Sequence, residues 1–231
     1  MNLKKTAILL FAQSAQKEAA NKPFKNATRL FTQLNNHTIA IVKKSKLPYF
    51  RLTEEQQVGS TFGERLTNAI QSIYDKGYDH VIAIGNDTPH LQTHHILDTA
   101  KKLETHSLVL GPSKDGGFYL IGLHKSQFNP TEFLQLPWQS QTLTKELLIA
   151  YSLRKEKIQT HLLETLEDID LFIDIKIILK GLRALNNHII QQLLEAIVYT
   201  KTTVYTQKIP FINSFSRRVH HNKGSPTFLP L

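Results

Sequence analysis

Cysteine is absent from the sequence. This absence excludes disulfide bonds, thiolate nucleophiles and zinc sites built on cysteine, and it indicates a cytoplasmic location. Long hydrophobic runs are absent as well, since no stretch approaches the roughly 20 apolar residues that a membrane helix needs. We therefore expect no membrane span.

Acidic residues are scarce: 19 Asp and Glu face 28 Lys and Arg, which gives a net charge of +9. Five of the basic residues lie after Tyr199, in a segment that has no acid. A basic balance suits phosphate-bearing ligands or nucleic acid. Because no RNA- or DNA-binding motif accompanies these side chains, we predict a solvated tail and no nucleic-acid partner. Its aromatic residues Phe211, Phe215 and Phe228 could dock it on the domain or across a homodimer.

The length of 231 residues, with 41% hydrophobic and 20% charged residues, is typical of one globular domain that carries an appendage. The first 16 residues combine two lysines, a short apolar stretch and small residues, which loosely resembles a signal peptide. We favour a first buried strand, because the apolar stretch is short and an α/β domain begins with such a strand.

Short apolar runs alternate with segments of helical periodicity as far as residue 182. This alternation predicts an α/β fold in three layers, with a mostly parallel sheet covered by helices on both faces. We place the domain at residues 1–182, and a C-terminal helix with the basic tail at residues 183–231. The predicted strands are 6–11, 48–52, 79–84, 107–110, 118–123 and 158–163, and the predicted helices are 27–42, 62–74, 93–103, 143–154 and 168–182.

Three loops follow or precede buried strands and have unusual compositions. The first is Gly85-Asn86-Asp87-Thr88-Pro89, in which glycine allows a tight turn and proline stiffens the exit. Open α/β sheets bind ligands beyond the carboxyl ends of their strands, so Asp87 could hold a hard cation that bridges phosphates. The alternative is an aspartate that caps the next helix.

The second loop is Gly111 to Gly117, with Asp115 before the glycine pair Gly116-Gly117. Paired glycines let backbone amides approach a ligand, and Asp115 could bind a hydroxyl group or an amine. The alternative is a tight turn that uses the usual Asp-Gly chemistry.

The third loop contains Gln57, Gly59, Gly63 and Arg65 and leads into a helix, whose N-terminus favours anions. It matches neither the P-loop nor the dinucleotide fingerprint, so an ordinary glycine-bearing loop is the alternative. A late pair, Asp168 and Asp170, could supply further carboxylates or simply begin a helix. We interpret His90, His94 and His95 as surface residues, because no zinc-protease pattern is present.

The ordered set of motifs resembles the DUF2064 family over about residues 6 to 176. It comprises Gly63-Glu64-Arg65-Leu66, the loop around Asp87, the segment Gly111 to Gly122, Pro137-Trp138 and Asp168-Ile169-Asp170. The resemblance implies a Rossmann-like GT-A fold, the nucleotide-diphospho-sugar transferase fold, shared with nucleotidyltransferases. It implies that Asp87 binds Mg²⁺ or Mn²⁺ with Asp168 or Asp170, and that Asp115, Gly116, Gly117 and Trp138 line the acceptor or sugar side. Nucleotide contacts would come from Gln57, Gly59, Gly63, Arg65, Gly85 and Asn86.

One departure from the family lies after the first strand, where a glycine-containing Lys-Pro segment ending in Lys-Thr-Arg-Leu is usual. Residues 13–29 lack this glycine, and Lys17, Lys22 or Lys25 could substitute for its function. Three hypotheses follow: a glycosyltransferase that uses a nucleotide-sugar and a small acceptor, a nucleotidyltransferase that joins an NTP to a small phosphorylated substrate, or a ligand-binding protein that has lost catalysis. Asp87 and Asp115 are the predicted catalytic residues in the first two.

Overall fold

A computed structural model describes residues 5–22, 26–154, 159–170, 172–178, 189–191 and 193–195. The predicted basic tail, most of the C-terminal helix, and Lys25 lie outside these residues. Among the described residues, no helix combines the length and the apolar character that crossing a bilayer requires.

Six strands form one sheet in the order β2-β1-β3-β5-β4-β6. Three of the five neighbouring pairs are parallel, and only β5 runs against its two neighbours. The predicted mostly parallel α/β sheet is therefore confirmed, and so is the interpretation of the N-terminal apolar stretch as a strand. The strands are β1 Thr6–Phe11, β2 Tyr49–Leu52, β3 His80–Ile84, β4 Leu108–Pro112, β5 Phe118–His124 and β6 Thr160–Leu162.

Helices cover both faces of the sheet, because alternate side chains of each buried strand point to opposite faces. On β1, Ile8 and Leu10 pack with α2 and α4, whereas Ala7 and Leu9 pack with α3, α5 and α6. The helices are α1 Ala15–Asn21, α2 Ala27–Lys44, α3 Phe62–Tyr74, α4 Thr93–Lys102, α5 Pro130–Leu134, α6 Leu143–Ser152 and α7 Phe172–Ile178, with a short 3₁₀ helix at Lys125–Gln127.

A third apolar cluster joins α1, α2 and α7. Ile189 and Leu193, from the predicted C-terminal helix, are buried in the same cluster. These two side chains attach residues 189–195 to α2, where Glu195 also forms an ion pair of 3.2 Å with Arg29. The division of the chain at residue 182 stays a prediction.

Two helices were not predicted from the periodicity, because each spans two turns or fewer. Helix α1 begins after Ser14, whose hydroxyl accepts from the amide of Lys17, and α5 begins after Asn129 with Pro130 at its first position. Both starts carry the usual capping chemistry. Helix α7 begins at Phe172, so Asp168 and Asp170 precede it in irregular chain and are not in its first turn.

Candidate active site

The loops that follow β1, β3, β4 and β6 lie at one edge of the sheet, because these four strands run parallel to one another. The amino end of the antiparallel β5 reaches the same edge. A cavity of about 290 Å³ opens there, between the loops after β1 and β3, the start of α3, and Asp170. Ligand sites of open α/β sheets commonly occupy this position.

Asp87 lies at the floor of this cavity, three residues after β3, and only 3% of its surface is exposed. Its backbone carbonyl accepts a hydrogen bond of 2.9 Å from the amide of Ile169, which joins the β3 loop to the chain after β6. The neighbouring Asn86 is also buried and donates from its amide nitrogen to Oδ1 of Asn35, at 2.6 Å. These two bonds fix the loop, so the carboxylate is held in a defined place.

Lys22 brings a buried ammonium group to the same floor. Its Nζ donates to the carbonyl oxygen of Ile169 at 2.5 Å and to Oδ1 of Asp170 at 3.1 Å, and it lies 3.5 Å from Oδ2 of Asp87. Glu18, one helical turn earlier, is 3.6 Å away. Three oxygen atoms from two separate loops therefore surround one positively charged point.

Asp168 is buried beside this point and accepts a hydrogen bond from the Thr88 hydroxyl. The amide of Asp170 donates to Oδ2 of Asp174 at 3.0 Å, which connects this loop to α7. Asp168 and Asp170 thus have different surroundings. Asp168 supports the loop of Asp87, whereas Asp170 faces the cavity.

The opposite wall of the cavity is apolar and aromatic. Phe11, Phe62 and Phe118 line it together with Leu66 and Ile121. The rings of Phe11 and Phe62 meet edge to face with centroids 5.7 Å apart. The cavity lining therefore combines a charged cluster with aromatic and apolar side chains, which a nucleotide with its phosphates and base would require.

The N-terminus of α3 is capped by the side chains of Thr61 and Glu64. Thr61 accepts from the amide of Glu64, and Glu64 Oε2 accepts from the amides of Ser60 and Thr61, at 2.6 and 3.1 Å. The pKa of Glu64 is lowered mainly by the Thr61 and Ser60 amides. Gly59, at φ +133°, sits where a Cβ would be 2.7 Å from Cβ of Glu64, which accounts for this glycine without a ligand.

Arg65 and Gln57 do line the cavity, from the same segment. Arg65 Nη1 donates to the carbonyl of Ser60 at 3.1 Å, and Gln57 Nε2 donates to that of Leu52, also at 3.1 Å. These contacts hold both side chains near the rim, where the guanidinium could turn toward a phosphate.

Gly63 and Trp138 form a packing contact. A Cβ on Gly63 would lie 2.4 Å from Cδ1 of Trp138, and the indole Nε1 donates to the Phe133 carbonyl at 2.7 Å. Trp138 packs against Phe62 and Phe118, whose rings line the cavity. Trp138 therefore holds two aromatic rings of the cavity wall in place.

Asp115 organises the turn between β4 and β5. Its Oδ1 accepts from the Ser113 hydroxyl and from the amide of Gly117, the latter at 2.9 Å. Gly116 has a φ of +91° and is pressed against Gln141, whose carbonyl oxygen would lie 1.9 Å from a Cβ. The turn lies at the same edge of the sheet as the cavity, outside its lining.

The predicted surface position of His95 is wrong, since this residue is 4% exposed. His95 Nδ1 accepts from the Gln92 amide at 2.9 Å, so Nε2 carries the proton that is donated to Glu164, at 2.8 Å. His94, His95 and Glu164 have their ligand atoms within 4.8 Å of one another. They do not fit a metal, because the one lone pair of the neutral His95 ring is already used by the Gln92 amide. Burial lowers the pKa of His95, which favours this neutral form.

Half of the predicted site residues therefore line one cavity, and half support the loops around it. The sequence alone did not identify three residues that line the cavity, Phe11, Glu18 and Tyr119. The hydroxyl of Tyr119 donates a hydrogen bond to the Glu164 carbonyl at 3.0 Å. The four-residue spacing of Glu18 and Lys22 is the signal that could have indicated their pairing. The cavity residues are Gln57, Arg65, Gly85, Asn86, Asp87 and Asp170; the supporting ones are Gly59, Gly63, Asp115, Gly116, Gly117 and Trp138.

Comparisons with known proteins bear on the family and on the fold of this chain. The family model DUF2064, described as an uncharacterized protein conserved in bacteria, matches residues 43–140. No curated protein matches the chain.

Solved structures share the fold. A protein of Desulfovibrio desulfuricans G20, named as a candidate nucleotide-diphospho-sugar transferase, is similar with a TM-score of 0.68 and 19% identity, over 86% of this chain and 97% of that one. Rv0371c of Mycobacterium tuberculosis H37Rv is similar with a TM-score of 0.51 and 9% identity, over 76% and 98%. The family model thus confirms the resemblance inferred from the sequence over residues 43–140, and the α/β fold is one that this chain shares with the Desulfovibrio protein.

Proposed function

We propose that this protein is a metal-dependent glycosyltransferase that binds a nucleotide-sugar in the cavity at the carboxyl edge of the sheet. One observation carries the proposal. Oxygen atoms of Asp87, Asp170 and Ile169 surround a single cation position at the cavity, and aromatic side chains line the same cavity. This combination matches a ligand with a diphosphate at one end and a base at the other.

The oxygen donors fit Mg²⁺ or Mn²⁺, which prefer carboxylate and carbonyl oxygens. Asp87 and Asp170 would hold the cation. They come from two loops that the Ile169–Asp87 backbone hydrogen bond ties together, which fixes their separation. When bound, such a cation stabilises the negative charge that develops on a diphosphate leaving group.

The remaining roles follow from position. Phe11, Phe62 and Phe118 would contact the base or ribose, with Trp138 holding two of these rings in place. Arg65 would bind a phosphate from the rim. Closing this apolar wall over a ligand excludes water and strengthens the ionic contacts in the cavity.

The acceptor is proposed to approach from the β4–β5 turn, where Asp115, Gly116 and Gly117 lie. Asp115 would bind an acceptor hydroxyl with Oδ2, since Oδ1 accepts the two bonds of the turn. A nucleotidyltransferase would use the same cation position with pyrophosphate as the leaving group. The two activities differ in their products, because a glycosyltransferase releases a nucleoside diphosphate or monophosphate.

The test is a thermal-shift panel of nucleoside triphosphates and nucleotide-sugars, with and without Mn²⁺. We expect at least one compound to stabilise the protein only when Mn²⁺ is present. Asp87→Asn should remove this stabilisation, whereas Asp98→Asn, at an exposed position on α4, should keep it. No Mn²⁺-dependent shift across the panel, or an undiminished shift in Asp87→Asn, would contradict the proposal.

Product analysis on the compound identified then separates the two transferase activities. Pyrophosphate release from a triphosphate identifies a nucleotidyltransferase, and release of the nucleotide from a nucleotide-sugar identifies the proposed glycosyltransferase. Tight binding without any release over long incubation would indicate a ligand-binding protein.

A further inference from the structure

The proposed metal position already holds a positive charge that belongs to the chain. The Lys22 side chain is 9% exposed, and its ammonium contacts the Ile169 carbonyl and Asp170 and lies near Asp87. Lys22 follows the last residue of α1, and its amide donates to the Glu18 carbonyl at 3.1 Å. The end of this helix thus anchors the start of a long, flexible side chain.

An ammonium group and a divalent cation require the same oxygen atoms here. Metal–oxygen distances of roughly 2.0–2.6 Å leave no room for an ammonium among the same ligands. Like charges a few ångström apart also repel strongly in a partly buried site. The two cations therefore exclude each other at this point.

We infer that Lys22 is a built-in counter-cation that occupies the metal position in the ligand-free protein and must withdraw before Mg²⁺ or Mn²⁺ binds. The inference rests on the proposed metal site. Lys22 also lines the 290 Å³ cavity, so its ammonium has space into which it can move. Its stem consists of four methylene groups, which permits this movement without a change of the backbone.

The consequence is a coupling between metal and nucleotide. Withdrawal in the absence of a ligand costs the contacts that Lys22 makes with Asp170 and Ile169. A diphosphate in the cavity offers the ammonium new oxygen partners, so the nucleotide lowers this cost. Metal alone should therefore bind weakly, and the two ligands should each strengthen the binding of the other.

The test measures binding of Mn²⁺ alone by calorimetry, without nucleotide or turnover. Lys22→Met should bind Mn²⁺ roughly tenfold more tightly than the wild type or better, because it removes a competing charge. Lys22→Arg should keep the weak binding. Lys5→Met, which removes an exposed lysine elsewhere, should leave it unchanged, and Lys22→Met combined with Asp170→Asn should lose the gain.

Two results would separate this inference from the proposed function. If the wild type binds Mn²⁺ through Asp87 and Lys22→Met binds it equally or more weakly, the inference is wrong and the metal site stands. If no variant binds Mn²⁺, with or without the nucleotides of the panel, the metal site and the inference both fail.

A second measurement uses the unaltered protein, in case Lys22→Met does not fold. Acetic anhydride modifies exposed amines, and mass spectrometry reports the extent of modification of each lysine. Saturating Mn²⁺ should increase the modification of Lys22 several-fold and leave that of the exposed Lys5 unchanged. Unchanged or reduced modification of Lys22 in the presence of bound Mn²⁺ would overturn the inference.

Discussion

The two ends of strand β3 each carry an aspartate, and their ionic surroundings are opposite. Asp79 precedes the strand and lies between two lysines, with Lys5 Nζ at 2.7 Å and Lys125 Nζ at 2.5 Å. Both lysines are more than half exposed. One carboxylate here has two positive partners in contact with solvent.

Asp87 follows the strand, and there the balance is reversed. Lys22 is shared by the carboxylates of Glu18, Asp87 and Asp170, and all four side chains are largely buried. Asp168, which accepts a hydrogen bond from Thr88 in the loop of Asp87, is a further buried acid. Among the described residues, three carboxylates thus lie within 3.6 Å of this one ammonium group.

This difference separates a structural ion pair from a site prepared for a ligand. An exposed pair costs little and contributes little, whereas buried charge of one sign is costly unless something compensates it. Such cost is commonly concentrated at functional sites. The carboxyl edge of the sheet therefore gathers buried acids around one buried lysine, which the proposed cation site requires, whereas the amino edge pairs one acid with two exposed lysines.

The largest predicted effect compares how tightly the two ends of the sheet are packed, with one glycine from each end. Gly116 and Gly77 have nearly the same φ, +91° and +90°. A Cβ on Gly116 would meet backbone atoms of Gln141, while a Cβ on Gly77 would meet nothing within 4 Å. Gly116→Ala should cost about 3 kcal/mol of unfolding free energy, and Gly77→Ala only about 1 kcal/mol, from its φ alone.

Chemical denaturation of both variants checks this prediction, with Gly77→Ala as the matched control for backbone strain. Equal losses would mean that Gln141, two residues before α6, is not pressed against the turn as the structure shows. The carboxyl edge would then be as tolerant as the amino edge.

A smaller effect is expected at Asp115, beside this glycine. Asp115→Ala removes the acceptor for the Gly117 amide and the Ser113 hydroxyl and should cost about 1 kcal/mol. Asp115→Asn keeps an acceptor oxygen and should stay within about 0.5 kcal/mol of the wild type. If Asp115 also binds the acceptor, Asp115→Asn lowers turnover at this unchanged stability. Unchanged turnover would leave Asp115 with only its part in the turn.

Most of the fold was predictable because its elements are long enough to show a period. The apolar residues of α3 repeat every three or four positions, and those of β1 form one uninterrupted run. Helices α1 and α5 were not predicted, since two turns carry too few apolar residues to define a face. Their capping residues, Ser14 and Asn129, were the available signals.

The site was predictable where its residues follow a strand, begin a helix or belong to a motif. Asp87 could be located because the end of β3 is visible in the sequence, and Asp170 because it belongs to a motif. The contact between Lys22 and Asp170 spans 148 positions, and no local pattern reports such a distance. The packing of Gly63 and Gly59 against side chains could not be predicted either. A sequence does not show whether a glycine is required by a nearby ligand or by a nearby side chain.

The smallest predicted effect isolates the amino edge of the sheet. Hydrogen bonds from Lys125 and then Lys5 lower the pKa of Asp79 from its usual 3.8 to about 2. Because the folded state depresses this pKa, the ion pairs stabilise the protein fully above the usual value, and the stabilisation is lost as the pH falls toward 2. Solvent around the two lysines limits the gain to about 1 kcal/mol or less. Asp79→Asn should therefore be less stable than the wild type at pH 7 and 5, and most of this difference should be lost near pH 2, where the pKa of Asp79 in the folded protein lies. The exposed Asp98→Asn should show little difference in stability from the wild type at any of these pH values, and Mn²⁺ should change neither comparison.

A deficit in the stability of Asp79→Asn that persists at pH 2 would mean that Asp79 acts through packing or neutral hydrogen bonds. The ionic contrast between the two ends of β3 would then not hold.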